Sequence, residues 1–113
     1  MPRAAPRPRT ALPEHVKAGA ATEKEFQAQV LDLARRSGWC CYHTHDSRRS
    51  APGFPDLVLV RAPVVVFAEL KTETGKVRPE QRDWLAALKR CEGVEARLWR
   101  PRDWPEIEEV LRR

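Results

Sequence analysis

The hydrophobic residues of the chain first recur at helical spacing after residue 21. Over residues 22–37, Phe26 and Val30 begin an apolar stripe on one face of a helix. Thr22, followed three residues later by Glu25, is typical of a capping box at the start of a helix. The pattern therefore predicts a first helix over 22–37.

Four later runs are rich in aromatic, aliphatic and β-branched residues and predict strands. They cover residues 39–45, 56–60, 64–70 and 95–100. Only Arg61, Ala62 and Pro63 separate the second run from the third, so these two strands are expected to form a β-hairpin.

Two more helices are predicted after the hairpin. Pro79 suits the first position of a helix that ends before Gly93. Asp103 with Glu106 predicts a cap for a short last helix. The order is then α-β-β-β-α-β-α. This is an α/β fold with a mixed sheet flanked by helices, because the strand–helix–strand segment 64–100 implies a parallel strand pair.

The first 21 residues have a different composition from the rest of the chain. Residues 1–13 contain four prolines, alternating arginines and few apolar residues, which is typical of a flexible, extended arm. A chain of 113 residues suits one domain. We therefore predict an Arg- and Pro-rich arm at 1–21 and a single domain at 22–113.

The charge and the apolar runs limit the classes of function. The net charge of +5 favours an anionic partner, but residues 1–21 carry +3 of it, so a generic basic surface remains possible. The longest apolar run, residues 64–68, is too short to cross a membrane, and the N-terminus lacks a signal peptide's apolar segment. Three cysteines, two of them adjacent, disfavour a disulfide framework. A cytoplasmic protein is expected.

Two acidic residues, Asp56 and Glu69, stand at the ends of the apolar hairpin strands. If the turn centres between Ala62 and Pro63, Asp56 faces Glu69, with Cβ atoms roughly 5 Å apart. Lys71 shares the face of Glu69 because side chains alternate along a strand. Two carboxylates at so short a distance repel each other unless a proton or a cation lies between them. The pattern leaves two interpretations open, an ion pair with Lys71 or a site for a divalent metal ion.

The same residues carry a resemblance to a nuclease motif. "PDLVLV" followed by "ELK" resembles the PD-(D/E)xK motif, with Pro55, Asp56, Glu69 and Lys71 in its four named places. More narrowly, "SRRSAPGFPDLVLVR", "VVVFAELKTETGKVRPEQRDWLAAL" and "VEARLWRPRDW" resemble the VRR-NUC family of virus-type replication and repair nucleases. The similarity covers about residues 22–112.

Further positions strengthen or depart from the family pattern. Gly53, Gly75, Gln81 and the "WRP" strand are part of the match. Arg78 departs from it, since the family tends to have Ser or Thr before the proline. Because this position would cap the second predicted helix, we expect the change to lower helix stability and to leave the chemistry unaffected.

The resemblance implies a restriction-endonuclease-like core and a phosphodiesterase that uses Mg²⁺ or Mn²⁺. Asp56, Glu69 and the backbone carbonyl of Leu70 would be the metal ligands. Lys71 would orient or help to deprotonate the attacking water and would stabilise the charge that develops on the phosphate.

Two further residues are assigned to the catalytic site by the resemblance and by their position. In the wider fold an acidic residue on the first helix reaches the metal. Glu23 matches it better than Glu25, because Glu25 already has the capping role. Gln81 lies near the start of the second helix, where its amide would contact either phosphate or metal-bound water, or a nearby backbone group.

The expected partner is DNA. The likeliest phosphate-contacting loop directly precedes the catalytic hairpin and contains Ser47, Arg48, Arg49 and Ser50. Related minimal nucleases cut four-way junctions as homodimers, so the analogy implies a bacterial or viral endonuclease for branched or junction DNA that acts as a homodimer. Two alternatives remain, a nucleic-acid-binding module of the same fold with little or no catalysis and a protein-interaction subunit with structural ion pairs.

Overall fold

The computed structural model describes residues 22–44 and 51–113. The predicted arm at 1–21 lies outside the described residues. So do the four residues of the predicted phosphate-contacting loop, Ser47, Arg48, Arg49 and Ser50. In the part that the structure describes, no helix is long and apolar enough to cross a membrane.

The secondary-structure elements follow the predicted order. They are α1 (Glu23–Arg36), β1 (Cys40–His43), β2 (Leu57–Arg61), β3 (Val64–Leu70), α2 (Pro79–Lys89), β4 (Val94–Trp99) and α3 (Trp104–Leu111). A short 3₁₀ turn, Pro101–Asp103, immediately precedes α3. The predicted α/β fold is therefore confirmed, with small differences at the ends of the strands.

The four strands form one mixed sheet in the order β1-β2-β3-β4. Strand β2 is antiparallel to both β1 and β3, and β4 is parallel to β3, with α2 connecting β3 to β4. In the β2–β3 hairpin, Leu57 pairs with Ala68 and Arg61 with Val64. This is the register expected from a turn between Ala62 and Pro63. One step beyond the last pair, Asp56 and Glu69 are opposite each other.

The main hydrophobic core lies between one face of the sheet and the helices α1 and α3. The sheet contributes fully buried side chains such as Leu57, Leu59 and Trp99, and the helices contribute Phe26 and Ile107. Burying an aliphatic or aromatic side chain of this size stabilises a fold by about 1.5–3 kcal/mol. This face therefore supplies most of the stability, while α2 packs against β4.

The helix starts show which capping predictions hold. The capping box of α1 is confirmed, because the Thr22 and Glu25 side chains each accept a hydrogen bond from the other's backbone N–H. Asp103 is the N-cap residue of α3, as predicted, but its side chain makes no capping hydrogen bond. Asp103 accepts from the Arg100 N–H at 2.8 Å, and Glu106 accepts from the indole N–H of Trp99 at 2.9 Å. A buried indole N–H needs an acceptor, and Glu106 supplies one.

The segment before β2 is held closely against the start of α2. Gly53 has a φ of +83°, and a Cβ atom there would lie 2.5 Å from the carbonyl carbon of Glu80. The Phe54 ring packs edge-on against Trp84 at 5.1 Å between centroids, and the Trp84 indole N–H donates to the Pro52 carbonyl. This packing fixes the point at which the chain enters β2, and so fixes the position of Asp56.

We expect Gly53→Ala to destabilise the fold more than Gly93→Ala, a matched control with φ +78° and open space around it. The control should lower the free energy of unfolding by about 1 kcal/mol, from backbone strain alone. Gly53→Ala should cost about 1–3 kcal/mol more, because the backbone of Glu80 must move. Urea unfolding measures both, and equal losses would show that the close approach is unimportant.

Candidate active site

The site lies where β2 begins and β3 ends. Asp56 directly precedes β2, and its Oδ2 accepts a hydrogen bond of 2.9 Å from the backbone N–H of Leu70. Leu70 is the last residue of β3, and Lys71 follows it. The hydrogen bond places the Asp56 carboxylate across the hairpin, beside the Glu69–Lys71 segment, as the register predicts.

Glu69 is a charged residue in an almost fully buried position, with only 2% of its surface exposed. Its Oε2 accepts a hydrogen bond of 2.8 Å from Gln81 Nε2 and lies 3.8 Å from the ammonium nitrogen of Lys71. Its Oε1 is buried with no hydrogen-bond partner among the described residues. A buried carboxylate oxygen without a partner is costly, so this atom is suited to a proton or a cation.

The pKa shifts of the acidic pair also indicate that it needs a proton or a cation. Burial raises the pKa of Glu69 to about 8, and the nearby Asp56 carboxylate raises it as well, while Lys71 partly opposes both. Burial also raises the pKa of Asp56, opposed by its hydrogen bonds from Leu70 and Glu69 and by the Lys71 charge. Two carboxyl groups this close cannot both ionise at low cost. The pair holds a proton at neutral pH unless a cation replaces it.

Glu23 lies in the first turn of α1 and contributes a third acidic group. Partial burial raises its pKa, and the Asp56 charge raises it further, while Lys71 and Arg78 lower it. Its carboxylate is therefore close enough to interact with the acidic pair. The carboxylate of Glu25 is the acceptor of the capping box instead. The choice of Glu23 over Glu25 as a metal ligand stays a prediction.

Gln81 joins α2 to the acidic pair. Its Oε1 accepts from the backbone N–H of Arg78 at 2.9 Å while its amide group donates to Glu69. The backbone hydrogen bond was one of the two interpretations of this residue. The bond to Glu69 was not anticipated, because nothing in the local sequence pattern connects residues 12 positions apart.

Arg100 is a residue of this region that the sequence analysis missed. Its guanidinium donates to the carbonyl oxygens of Thr72, at 2.6 Å, and Glu73, at 3.3 Å. The backbone N–H of Lys71 donates to the Trp99 carbonyl at 3.0 Å. The "WRP" strand therefore holds the chain directly after Lys71. Its presence in the family resemblance was the available signal.

Comparisons with known proteins identify the family of this chain. A family model for the VRR-NUC domain matches residues 3–102 of the chain. The chain belongs to the VRR-NUC family. One similar solved structure is a VRR-NUC domain protein, with a TM-score of 0.61 and 21% identity over 80% of this chain and 84% of that chain. The curated proteins contained no match.

Membership of the VRR-NUC family makes this a nuclease-type domain, and DNA is the substrate that such a domain implies. The likeness to the solved VRR-NUC structure supports the mixed sheet with flanking helices. Asp56, Glu69 and Lys71 of this VRR-NUC domain come together at one end of the hairpin.

The donor atoms of the VRR-NUC site suit a hard divalent cation. No group of three or more His, Cys, Asp or Glu side chains in the described ranges forms a ready metal-ligand set. The buried Oε1 of Glu69 beside the Asp56 carboxylate nevertheless provides two oxygen donors, and Mg²⁺ is usually held by one or two carboxylates plus water and phosphate. The residues therefore fit such an ion.

Glu69→Gln tests the cost of the buried acid without changing its shape. In the metal-free protein, folded Glu69 keeps a proton to about pH 8, whereas the unfolded chain loses it near the ordinary pKa of 4.5. The stability from this group is therefore full below pH 4.5 and is lost as the pH rises towards 8. We expect thermal unfolding of Glu69→Gln to depend less on pH over this range than that of the wild type.

Added Mg²⁺ should increase the difference in melting temperature between the wild type and Glu69→Gln at pH 8. A ligand at ten times its Kd stabilises a folded protein by about 1.4 kcal/mol, so the wild-type melting temperature should rise and that of Glu69→Gln should not. Glu95→Gln is the control, since Arg97 lowers the pKa of that acid and it lies outside the site. Equal responses of all three proteins would contradict a metal site at Glu69.

Proposed function

We propose that this VRR-NUC domain is a DNA endonuclease that hydrolyses phosphodiester bonds with Mg²⁺ or Mn²⁺. The observation that carries the proposal is the buried acidic pair of Asp56 and Glu69 beside the Lys71 ammonium. An ion pair with Lys71 alone would leave the second carboxylate to be neutralised by a proton or another cation. A divalent ion neutralises both and adds a chemical function.

Asp56 and Glu69 would hold the ion, together with the backbone carbonyl of Leu70, and Glu23 would complete the acidic set. When bound, the ion would activate a water molecule and stabilise negative charge at the phosphate. Gln81 donates to Oε2 of Glu69, and the other oxygen, Oε1, has no hydrogen-bond partner among the described residues, so it is available to a bound ion.

Lys71 would act on the attacking water and on the developing charge. Its side chain is 12% exposed and its ammonium nitrogen lies 3.8 Å from Oε2 of Glu69, at the edge of the acidic pair. An ammonium there can orient the water, help to remove its proton and stabilise the extra negative charge on the phosphate oxygens. The backbone of Lys71 is fixed by Trp99, which keeps the ammonium in place.

The proposed substrate is branched or four-way junction DNA, and the proposed active form is a homodimer. A two-fold dimer presents two equivalent sites to two symmetric strands, which suits paired incisions in a junction. Support for this step is analogy with related minimal nucleases, together with the small size of the single domain.

Cleavage assays test the proposed activity directly. Labelled four-way junction, flap and plain duplex DNA are incubated with Mg²⁺ or Mn²⁺ and separated on a sequencing gel. We expect Asp56→Ala and Lys71→Ala to lose at least 10²-fold in rate, because each removes a group that acts on the reacting phosphate or water.

Arg36→Ala is the matched control, since Arg36 is exposed at the end of α1 and pairs with Asp32. It should cut at the wild-type rate. Full activity of an Asp56→Ala/Lys71→Ala double variant would exclude the proposed site. Binding that persists in EDTA, with no cutting under either ion, would indicate a nucleic-acid-binding module instead.

The homodimer is tested by the mass of the protein in solution. Light scattering after size-exclusion chromatography should give twice the mass of one chain at micromolar concentration, because paired incision requires two sites in one complex. A strict monomer at that concentration, with or without junction DNA, would contradict paired cutting.

A further inference from the structure

Residues 71–78 form a loop between β3 and α2 that is fixed at both ends. At its start, Arg100 holds the carbonyls that follow Lys71. At its end, the backbone N–H of Arg78 donates to Gln81, and Gln81 in turn donates to Glu69. The backbone of Arg78 is thus two hydrogen bonds from the buried acid. The loop has Lys71 at one end and Arg78 at the other.

Arg78 is an unfavourable residue for the position it occupies. It is the N-cap of α2, with φ −79° and ψ 156°, and its side chain makes no capping hydrogen bond. An arginine side chain has only donors, whereas Ser, Thr, Asp or Asn would accept a hydrogen bond from the first turn. A positive charge at a helix N-terminus also opposes the helix dipole. The fold is therefore less stable than it would be with a serine here.

Arg78 lies next to the acidic site, because its backbone N–H and the Glu69 carboxylate bind opposite ends of the same Gln81 side-chain amide. Arg78 is exposed, and no described residue accepts a hydrogen bond from its side chain. The loop that borders the acidic site therefore carries a cation at each end, Lys71 partly buried and Arg78 open to solvent.

We propose that Arg78 binds a phosphate group of the DNA beside the bond that is cut. This rests on the proposed nuclease function, and it assigns to Arg78 a role beyond the helix-stability effect expected from sequence. A guanidinium matches phosphate with two parallel hydrogen bonds, so an exposed arginine at the open side of the site is suited to hold the substrate backbone. Lys71 then acts on the water while Arg78 holds the chain that is attacked.

Arg78→Ser separates this role from a structural one, because the two roles predict opposite results. Serine restores a cap, so the melting temperature should rise by about 4 °C. Loss of the phosphate contact should lower kcat/KM about ten- to a hundredfold. The control is Arg90→Ser, which removes the same charge from the other end of α2, about 18 Å away, and should leave cutting unchanged.

DNA binding gives a readout independent of cutting. In an Asp56→Asn background, affinity for labelled duplex and junction DNA is measured against salt concentration with and without Mg²⁺. Arg78→Ser should reduce the magnitude of the salt slope by about 1, as expected for one lost phosphate contact. Arg78→Lys keeps the charge and should retain the slope. Arg90→Ser should also retain it.

The outcomes distinguish the inference from the proposed function. A stabilised Arg78→Ser that cuts at the wild-type rate with an unchanged salt slope would overturn the inference and leave Arg78 as a weak cap. If neither the wild type nor Asp56→Ala cuts any DNA, the nuclease proposal fails, and the salt slope alone then decides whether Arg78 contacts phosphate.

Discussion

The hydrogen bond from the Leu70 N–H to Asp56 Oδ2 is the contact on which the site depends. It lies one step beyond the last backbone pair of the β2–β3 hairpin, so a side chain continues the ladder where the backbone stops. The hairpin register thereby brings two acids together in a partly dry position. The two carboxylates repel each other there. Lys71 lies beside Glu69, Gln81 binds its Oε2, and its Oε1 is left for a proton or a cation.

The two faces of the sheet differ, since one carries the hydrophobic core and the other carries the acidic pair. On one face, α1 and α3 bury the large apolar side chains that make the domain stable. On the other, α2 covers β4 and reaches the acidic pair through Gln81. Because the core does not depend on the acidic pair, the carboxylates can be held in a state that is unfavourable without a cation while the domain stays folded. Active sites commonly store destabilisation in this way.

Much of the fold and part of the site could be predicted because they depend on local patterns. The Thr22 capping box, the register about Ala62 and Pro63, and the facing of Asp56 and Glu69 follow from spacing alone. The Gln81–Glu69 and Arg100–Thr72 contacts could not be predicted, since they join residues 12 and 28 positions apart after the chain has folded. The side-chain cap expected from Asp103 is absent because its carboxylate accepts from the Arg100 N–H of the preceding turn, and Glu106 accepts from the Trp99 indole instead.

The first turn of α2 contacts Glu69 directly and also contacts the segment that leads to Asp56. Glu80 meets the backbone of the segment that leads to Asp56, at Gly53, and the adjacent Gln81 holds Glu69. The positions of both acids therefore depend on these two neighbouring residues of one helix turn. Displacing this helix turn would therefore disturb the approach to Asp56 and the hydrogen-bond partner of Glu69 together.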